Sequence, residues 1–193
     1  MYKEYSPCSI LAPFIYHFWE YKGETRSGLK FNIPPHGCSD FVFIVGNAAD
    51  CIRNSLIMKP YHSYFFGPMN TFTELVAHTN FIHIIGVRFR PCGLFRFIDI
   101  PLNELTNQGI DSQEFPVLFS QSFIYQLCES NQNPIDTIEY ELVRQVYKNN
   151  TDTEKQISYA VSLISRQKGI VSIKELATEA CLCLRQFERK FKF

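Results

Sequence analysis

The feature that most constrains this chain is a change of pattern at Pro91. From about residue 10 to 90, short aromatic and β-branched runs alternate with turn signals, as in a sheet of short strands. Phe14–Tyr21, Tyr61–Phe66, Thr71–Val76 and Ile82–Phe89 are strand candidates. Pro34-Pro35-His36-Gly37-Cys38-Ser39-Asp40 is a turn, and Phe41–Val45 after it reads as a buried strand closed by Gly46-Asn47. After Pro91 the period becomes helical. Gly93–Ile98 reads as a short helix stopped near Pro101, and residues 112–130 and 134–148 as longer ones. Pro134 suits a first helical turn, and Asn149–Asp152 reads as a linker.

Helix punctuation is clearest at the C-terminal end. Thr151 and Glu154 have capping-box spacing, as do Ser172 and Glu175. Ile157, Ala160, Val161 and Ile164 share one helix face, and Gly169 can end that helix in a left-handed conformation. Ile173, Leu176, Ala177 and Ala180 form a second apolar face. After a break at Cys181-Leu182, Leu184, Phe187 and Phe191 form a third. On that last helix Arg185, Glu188, Arg189 and Lys192 lie on a different face, flanked by Gln186 and Lys190. Such a face suits the major groove, since Arg bonds guanine bidentately while Lys and Gln hold phosphates or base edges. The pattern by itself equally describes an amphipathic surface helix with a solvated charged side.

The chain has 19 Lys/Arg and 19 Asp/Glu, so net charge alone does not point to nucleic acid. Its distribution is uneven. Arg166–Phe193 holds seven basic against three acidic residues, which fits an acidic body with a basic DNA-binding end. The seven cysteines form no C-x-x-C pair, so reduced thiols and a cytoplasmic setting are expected. No apolar run is long enough to span a bilayer or act as a signal peptide, and no membrane partner is expected.

At this point the C-terminal residues resemble the AraC family of transcription regulators. The resemblance is carried by Ile157…Ala160…Ile164, by Ser172-Ile173-Lys174-Glu175-Leu176-Ala177, and by Leu182-Cys183-Leu184-Arg185-Gln186-Phe187-Glu188-Arg189-Lys190-Phe191-Lys192. Cys183 stands where that family usually has Ser or another small polar cap. Ile85–Phe95, Ile100–Leu105 and Pro34–Gly37 leading into Asp40–Phe43 are similar to N-terminal domains of such regulators. The fold class implied is α+β: an N-terminal β-rich, barrel-like or cupin-like sheet with helices after it, then an all-α partial helix-turn-helix segment. Residues 1–150 would form a sensor and dimerisation domain, and residues 151–193 a DNA-binding domain. Arg185, Gln186, Glu188, Arg189, Lys190 and Lys192 are the implied DNA-contacting residues. Promoter DNA, a small-molecule effector and a second copy of the chain are the implied partners. Family members carry two helix-turn-helix units, whereas this sequence stops after the first recognition helix. Weak DNA binding, or none, is therefore expected of the 193-residue chain by itself. The alternative is a small-molecule binding or dimerisation module that acts without DNA.

An enzyme is not expected. His17, His36, His62, His78 and His83 include no His-x-His pair for a cupin metal, and no cofactor is implied. Asp40, Glu74 and Glu104 lack catalytic spacing, and no Walker, G-x-S-x-G or G-x-G-x-x-G motif occurs. Cys38 reads as a buried small residue more readily than as a reactive thiol. Arg88 and Arg90 would share one strand face, to pair with acidic groups or meet an anion. Phe14, Tyr16, Phe18, Trp19, Tyr64, Phe65 and Phe66 are candidates for core or for a pocket wall.

Overall fold

The computed structural model describes residues 1–46, 49–51, 56–98, 100, 102–114, 118–148 and 154–192. Ten strands run in chain order: β1 (Tyr2–Tyr5), β2 (Ile15–Glu24), β3 (Lys30–Ile33), β4 (Asp40–Ile44), β5 (Ala49–Cys51), β6 (Leu56–Met58), β7 (Ser63–Phe66), β8 (Thr73–Ala77), β9 (Phe81–Phe89) and β10 (Gly109–Asp111). One sheet has six strands in the order β1-β2-β9-β4-β7-β10, and the second has four in the order β3-β8-β5-β6. All pairings given by these strands are antiparallel. Both sheets are open among the described residues, with β1 and β10 edging one and β3 and β6 the other. The expected barrel-like closure is thus replaced by two sheets, because no edge of one pairs with an edge of the other. The turn at Pro34–Ser39 carries the chain from the smaller sheet to the larger one.

The two faces of the larger sheet explain its composition. β4 is buried at every position, as its uninterrupted apolar run predicts. Phe41 and Phe43 point to one side, with Ile85, Val87 and Phe89 of β9 and Phe65 of β7. They meet α1 (Gln121–Glu129) and α2 (Pro134–Lys148) through Ile124, Leu127, Ile135, Ile138 and Leu142. Phe119 joins them, its ring 5.0 Å from both Phe41 and Phe43. Truncating a buried Phe of this kind costs about 3–5 kcal/mol. The other face carries Val42, Ile44, Ile82 and Ile84, which pack with Met58 and Ala77 of the smaller sheet. The result is a layered α+β arrangement: small sheet, large sheet, helices.

Two helix expectations change. The helix predicted over 112–130 begins only at Gln121, where Ser120 caps it by accepting from the Phe123 amide at 3.2 Å. Upstream, Gly109–Asp111 is a strand and Ser112–Glu114 a short 3-10 helix. Register with β7 wins over local propensity there, and Ser63 and Ser112 share a buried hydroxyl contact at 2.6 Å. The short helix after Pro91 is a 3-10 helix at Gly93–Arg96. Its Arg96 donates to the Val146 carbonyl in the last turn of α2.

Three further helices follow: α3 (Glu154–Arg166), α4 (Ile173–Glu179) and α5 (Leu184–Lys192). The expected linker at 149–152 and the capping partner Thr151 lie outside the described residues. Ile157, Ala160, Leu163, Leu176, Ala177, Ala180 and Phe187 form one buried cluster, and Cys92 packs against it from the end of β9. Val161 and Ile164 are only partly buried, so the α3 face is centred one position away from the one expected. Both helix ends are closed by the same six-to-one pattern. Gly169 and Lys168 amides reach Ile164 and Ser165 carbonyls, and Leu182 and Cys181 amides reach Ala177 and Thr178. The left-handed first position after each cap is held by Lys168 (φ 53°) and Cys181 (φ 54°), with Gly169 one place further on.

Candidate functional site

Two regions of the molecule carry arrangements beyond packing. The first is α5. Ser172 caps α4 with a complete box: its hydroxyl accepts from the Glu175 amide, and the Glu175 carboxylate accepts from the Ser172 amide, both at 3.1 Å. This fixes the start of α4, and Cys181 turns the chain into α5. Phe187 is buried and anchors α5 on α3 and α4. Leu184 and Phe191 are exposed, so the expected three-residue stripe on α5 narrows to a single anchor, whereas on α4 Leu176, Ala177 and Ala180 are buried and only Ile173 of the expected face is exposed. Phe191 covers Phe187 by stacking on it at 5.3 Å.

Around that anchor Arg185, Gln186, Glu188 and Arg189 are exposed. Neither arginine forms an ion pair with another described residue. Gln186 accepts from the Cys183 amide at 3.3 Å, taking up the capping that a Cys side chain supplies poorly. Lys190 is drawn back and donates to Gln156 of α3 at 3.0 Å. It therefore does not stand on the outward face with the arginines. The Lys192 side chain lies outside the described residues.

The second region is a cavity of about 240 Å³ between the two sheets. Trp19 and Tyr21 of β2, Phe31 of β3, Phe66 of β7, Met58 of β6 and Met69 line it, with Val42, Leu75, Ile82 and Ile84. Tyr21 and Phe31 bridge the sheets edge to face, 5.4 Å apart. Trp19 lies flat over Gly86, its cross-strand partner, where a Cβ would stand 2.0 Å from the ring. A glycine in the middle of β9 thus makes room for the indole. Of the seven aromatics singled out from sequence, only Trp19 and Phe66 reach this wall. Phe18 and Phe65 are core, Phe14 packs edge-on to Phe97, and Tyr16 is exposed. Tyr64 is buried and its hydroxyl bonds the Lys59 amide and the Ile57 carbonyl.

One end of the cavity is polar. Arg88 and Asp40 face each other across the β4–β9 ladder. Arg88 gives Nε–H to Oδ1 at 2.9 Å and Nη2–H to Oδ2 at 2.7 Å, a bidentate pair. Burial works against the guanidinium charge, and the bonds to Asp40 outweigh it and raise its pKa. His36 Nε2 lies 3.2 Å from Arg88 Nη2, and burial holds the imidazole below its usual range and so neutral. Cys38, next to it, is pushed up to about 11 by burial and is not a nucleophile. Arg90 does not share this end. It donates to the Ala12 carbonyl and lies 4.3 Å over the Tyr16 ring.

Three further groups weighed from sequence have partners. His83 bonds Glu20 at 2.8 Å and His62 bonds Asp111 at 3.2 Å. Glu74 pairs with Lys30 at the surface. Among the described residues no three His, Cys, Asp or Glu groups come together to hold a metal. The six described cysteines are unbridged. No described helix is long and apolar enough to cross a membrane.

Comparison with known proteins gives one family. The model of a family described as a domain of unknown function, DUF6597, matches residues 3–111. No curated protein matches. Among solved structures, unsaturated fatty acid bound ToxT from Vibrio cholerae strain SCE256 superposes with a TM-score of 0.37 at 11% identity, over 91% of this chain and 90% of that one. ToxT from Vibrio cholerae O395 gives 0.41 at 8% identity, over 90% and 73%. The AraC-like transcriptional activator CuxR gives 0.39 at 12% identity, over 90% and 70%. Superpositions this loose say nothing of this chain's ligand or activity.

Proposed function

The chain belongs to the DUF6597 family, a domain of unknown function, and from that premise we propose that it is a cytoplasmic, DNA-binding transcription regulator of the AraC type. In this reading residues 1–150 form a sensor and dimerisation part that takes a small-molecule effector. Residues 151–193 form the DNA-reading part, and the chain is not an enzyme. Promoter DNA is the macromolecular partner. The observation that carries the reading is α5: Phe187 holds the helix in the three-helix cluster while Arg185 and Arg189 stand outward with Gln186 and Glu188. The capping box of α4 and the left-handed turn at Cys181 are ordinary helix-end chemistry, and they fix where α5 starts. A major-groove helix needs such a fixed start because side chains must meet base edges in register.

The roles divide by position. Arg185 and Arg189, one turn apart, are the base-edge or phosphate contacts. Gln186 both caps the helix and flanks them, Glu188 is placed to accept from a cytosine amine, and Lys190 and Lys192 serve phosphates. Lys190 must leave Gln156 to do so. The test is fluorescence anisotropy with a labelled duplex of about 30 base pairs at low salt, where the phosphate term is large. Weak, salt-dependent binding is expected. Arg185→Ala with Arg189→Ala should lower the salt slope by roughly 2 and weaken binding at least about tenfold. Equal binding by the double variant overturns the assignment.

A small-molecule module acting without DNA is the second reading, and the inter-sheet cavity is what favours it. It predicts saturable ligand binding and no contribution of Arg185 or Arg189 to duplex affinity.

A further inference from the structure

We propose that the inter-sheet cavity selects a neutral, flat aromatic ligand of about two fused rings and rejects the carboxylate of the same shape. The proposal rests on the reading of the β-rich part as a sensor and supplies its ligand class. Size sets the first limit. A dry apolar cavity of about 150 Å³ holds one benzene ring, and this one has about 240 Å³. That difference admits a second ring. The wall suits flat rings: Trp19, Tyr21, Phe31 and Phe66 present aromatic faces and edges, and Met58 and Met69 are adaptable thioethers.

Charge sets the second limit. Arg88 is the cation of the cavity wall, and its charge is matched by the bidentate pair with Asp40, with His36 Nε2 also 3.2 Å from its Nη2. Other titratable groups near that end are His36, His17, Cys38, Tyr2 and Glu4, and Arg90, which acts on Cys38, is turned to the Ala12 carbonyl and the Tyr16 ring. Burial keeps both imidazoles below their usual range, and Cys38 is held protonated. Tyr2 donates its hydroxyl to Glu4 at 2.9 Å. The Thr73 hydroxyl, also on the wall, donates to Met69 sulfur at 3.2 Å. An entering anion would meet a cation already matched by Asp40, and no other cation of the wall would replace its water. A neutral ligand loses no such hydration.

The experiment uses the full chain and the shape-matched pair 2-acetonaphthone and 2-naphthoate near neutral pH. Binding is read by calorimetry and by the emission of Trp19, the single tryptophan of the chain and part of the cavity wall. The ketone is expected to bind saturably with Trp19 quenching, and the carboxylate at least about tenfold more weakly. Leu75→Phe, which fills the cavity from β8, should abolish ketone binding. Asp40→Asn leaves the Arg88 charge unmatched and should shift the preference toward the carboxylate. Where that variant does not fold, the wild-type ratio decides. Carboxylate binding equal to or tighter than the ketone overturns the proposal, and so does absence of saturable ketone binding. Saturable ketone binding that leaves duplex affinity unchanged would remove the effector reading and leave the ligand class standing.

Discussion

Adding one methyl group at residue 86 tests how the cavity wall is built. In Gly86→Ala the new Cβ would stand 2.0 Å from Trp19 Cε2, 2.2 Å from Cζ2 and 2.3 Å from Nε1. Carbon atoms in contact sit about 3.5–4.0 Å apart, so the indole must lift by roughly 1.5 Å. Trp19 and Tyr2 both line the cavity, so a displaced indole disturbs that wall and its stacking with Tyr2 at 6.3 Å. Overpacking of this kind costs about 1–3 kcal/mol. In a Trp19→Ala background the clash is gone, and glycine to alanine within a strand then gains roughly 0.5–1 kcal/mol. A double-mutant cycle by urea unfolding should therefore give a coupling of about 2 kcal/mol, the methyl group harming only the chain that keeps its tryptophan. Thermal midpoints should move by about 2–4 °C for each kcal/mol in a chain of this size. Equal cost in both backgrounds would show that Gly86 is not there for the indole.

Other consequences can be measured on the same chain. Ser172→Ala removes the α4 cap and should cost about 1 kcal/mol, seen as faster amide exchange in α4 and α5 before the sheets are affected; uniform loss across the molecule would contradict it. Cys181→Gly relieves a left-handed non-glycine residue (φ 54°) and should stabilise by about 0.5–1 kcal/mol, so that a lower midpoint would argue against the turn. His36, facing Asp40 and Arg88, is held neutral by burial, with a folded pKa below the unfolded value of about 6.5. Its contribution is complete above that pH and falls away as the pH drops toward the folded value, because the unfolded chain then binds more protons. His17 and His83 are shifted the same way by burial, so stability should decline on acidification from about 7.5 to 5.5, less steeply in His36→Gln. A flat profile would remove the argument.

How much was legible in the sequence follows from what each residue depends on. β4 was readable because Phe41 to Ile44 is buried on both faces and needs no polar alternation. β8 and β9 were readable for similar reasons, and the Ser172–Glu175 box because capping is local chemistry. β1 and β3 were missed: Lys3, Glu4, Lys30 and Asn32 are exposed edge positions whose strand state comes from their partners β2 and β8. The Arg88–Asp40 pair spans 48 positions and depends on the β4–β9 register, which no local pattern contains. The cavity wall collects residues from both sheets, so aromatic content could suggest a pocket but not which rings line it. A glycine in the middle of β9, opposite an aromatic-rich strand, was the one available signal. On α5 the heptad arithmetic found Phe187 and overstated Leu184 and Phe191, since a helix lying on only two neighbours buries a narrow stripe.

The central claim, that α5 reads DNA, is tested most directly by titrating a duplex into the isotope-labelled chain at low salt and following backbone amides. The account predicts that shifts cluster on residues 184–191 and on the α4–α5 turn, diminish with added salt, and vanish with Arg185→Ala and Arg189→Ala together. Shifts confined to the sheets, or shifts on α5 that persist in the double variant, would contradict it.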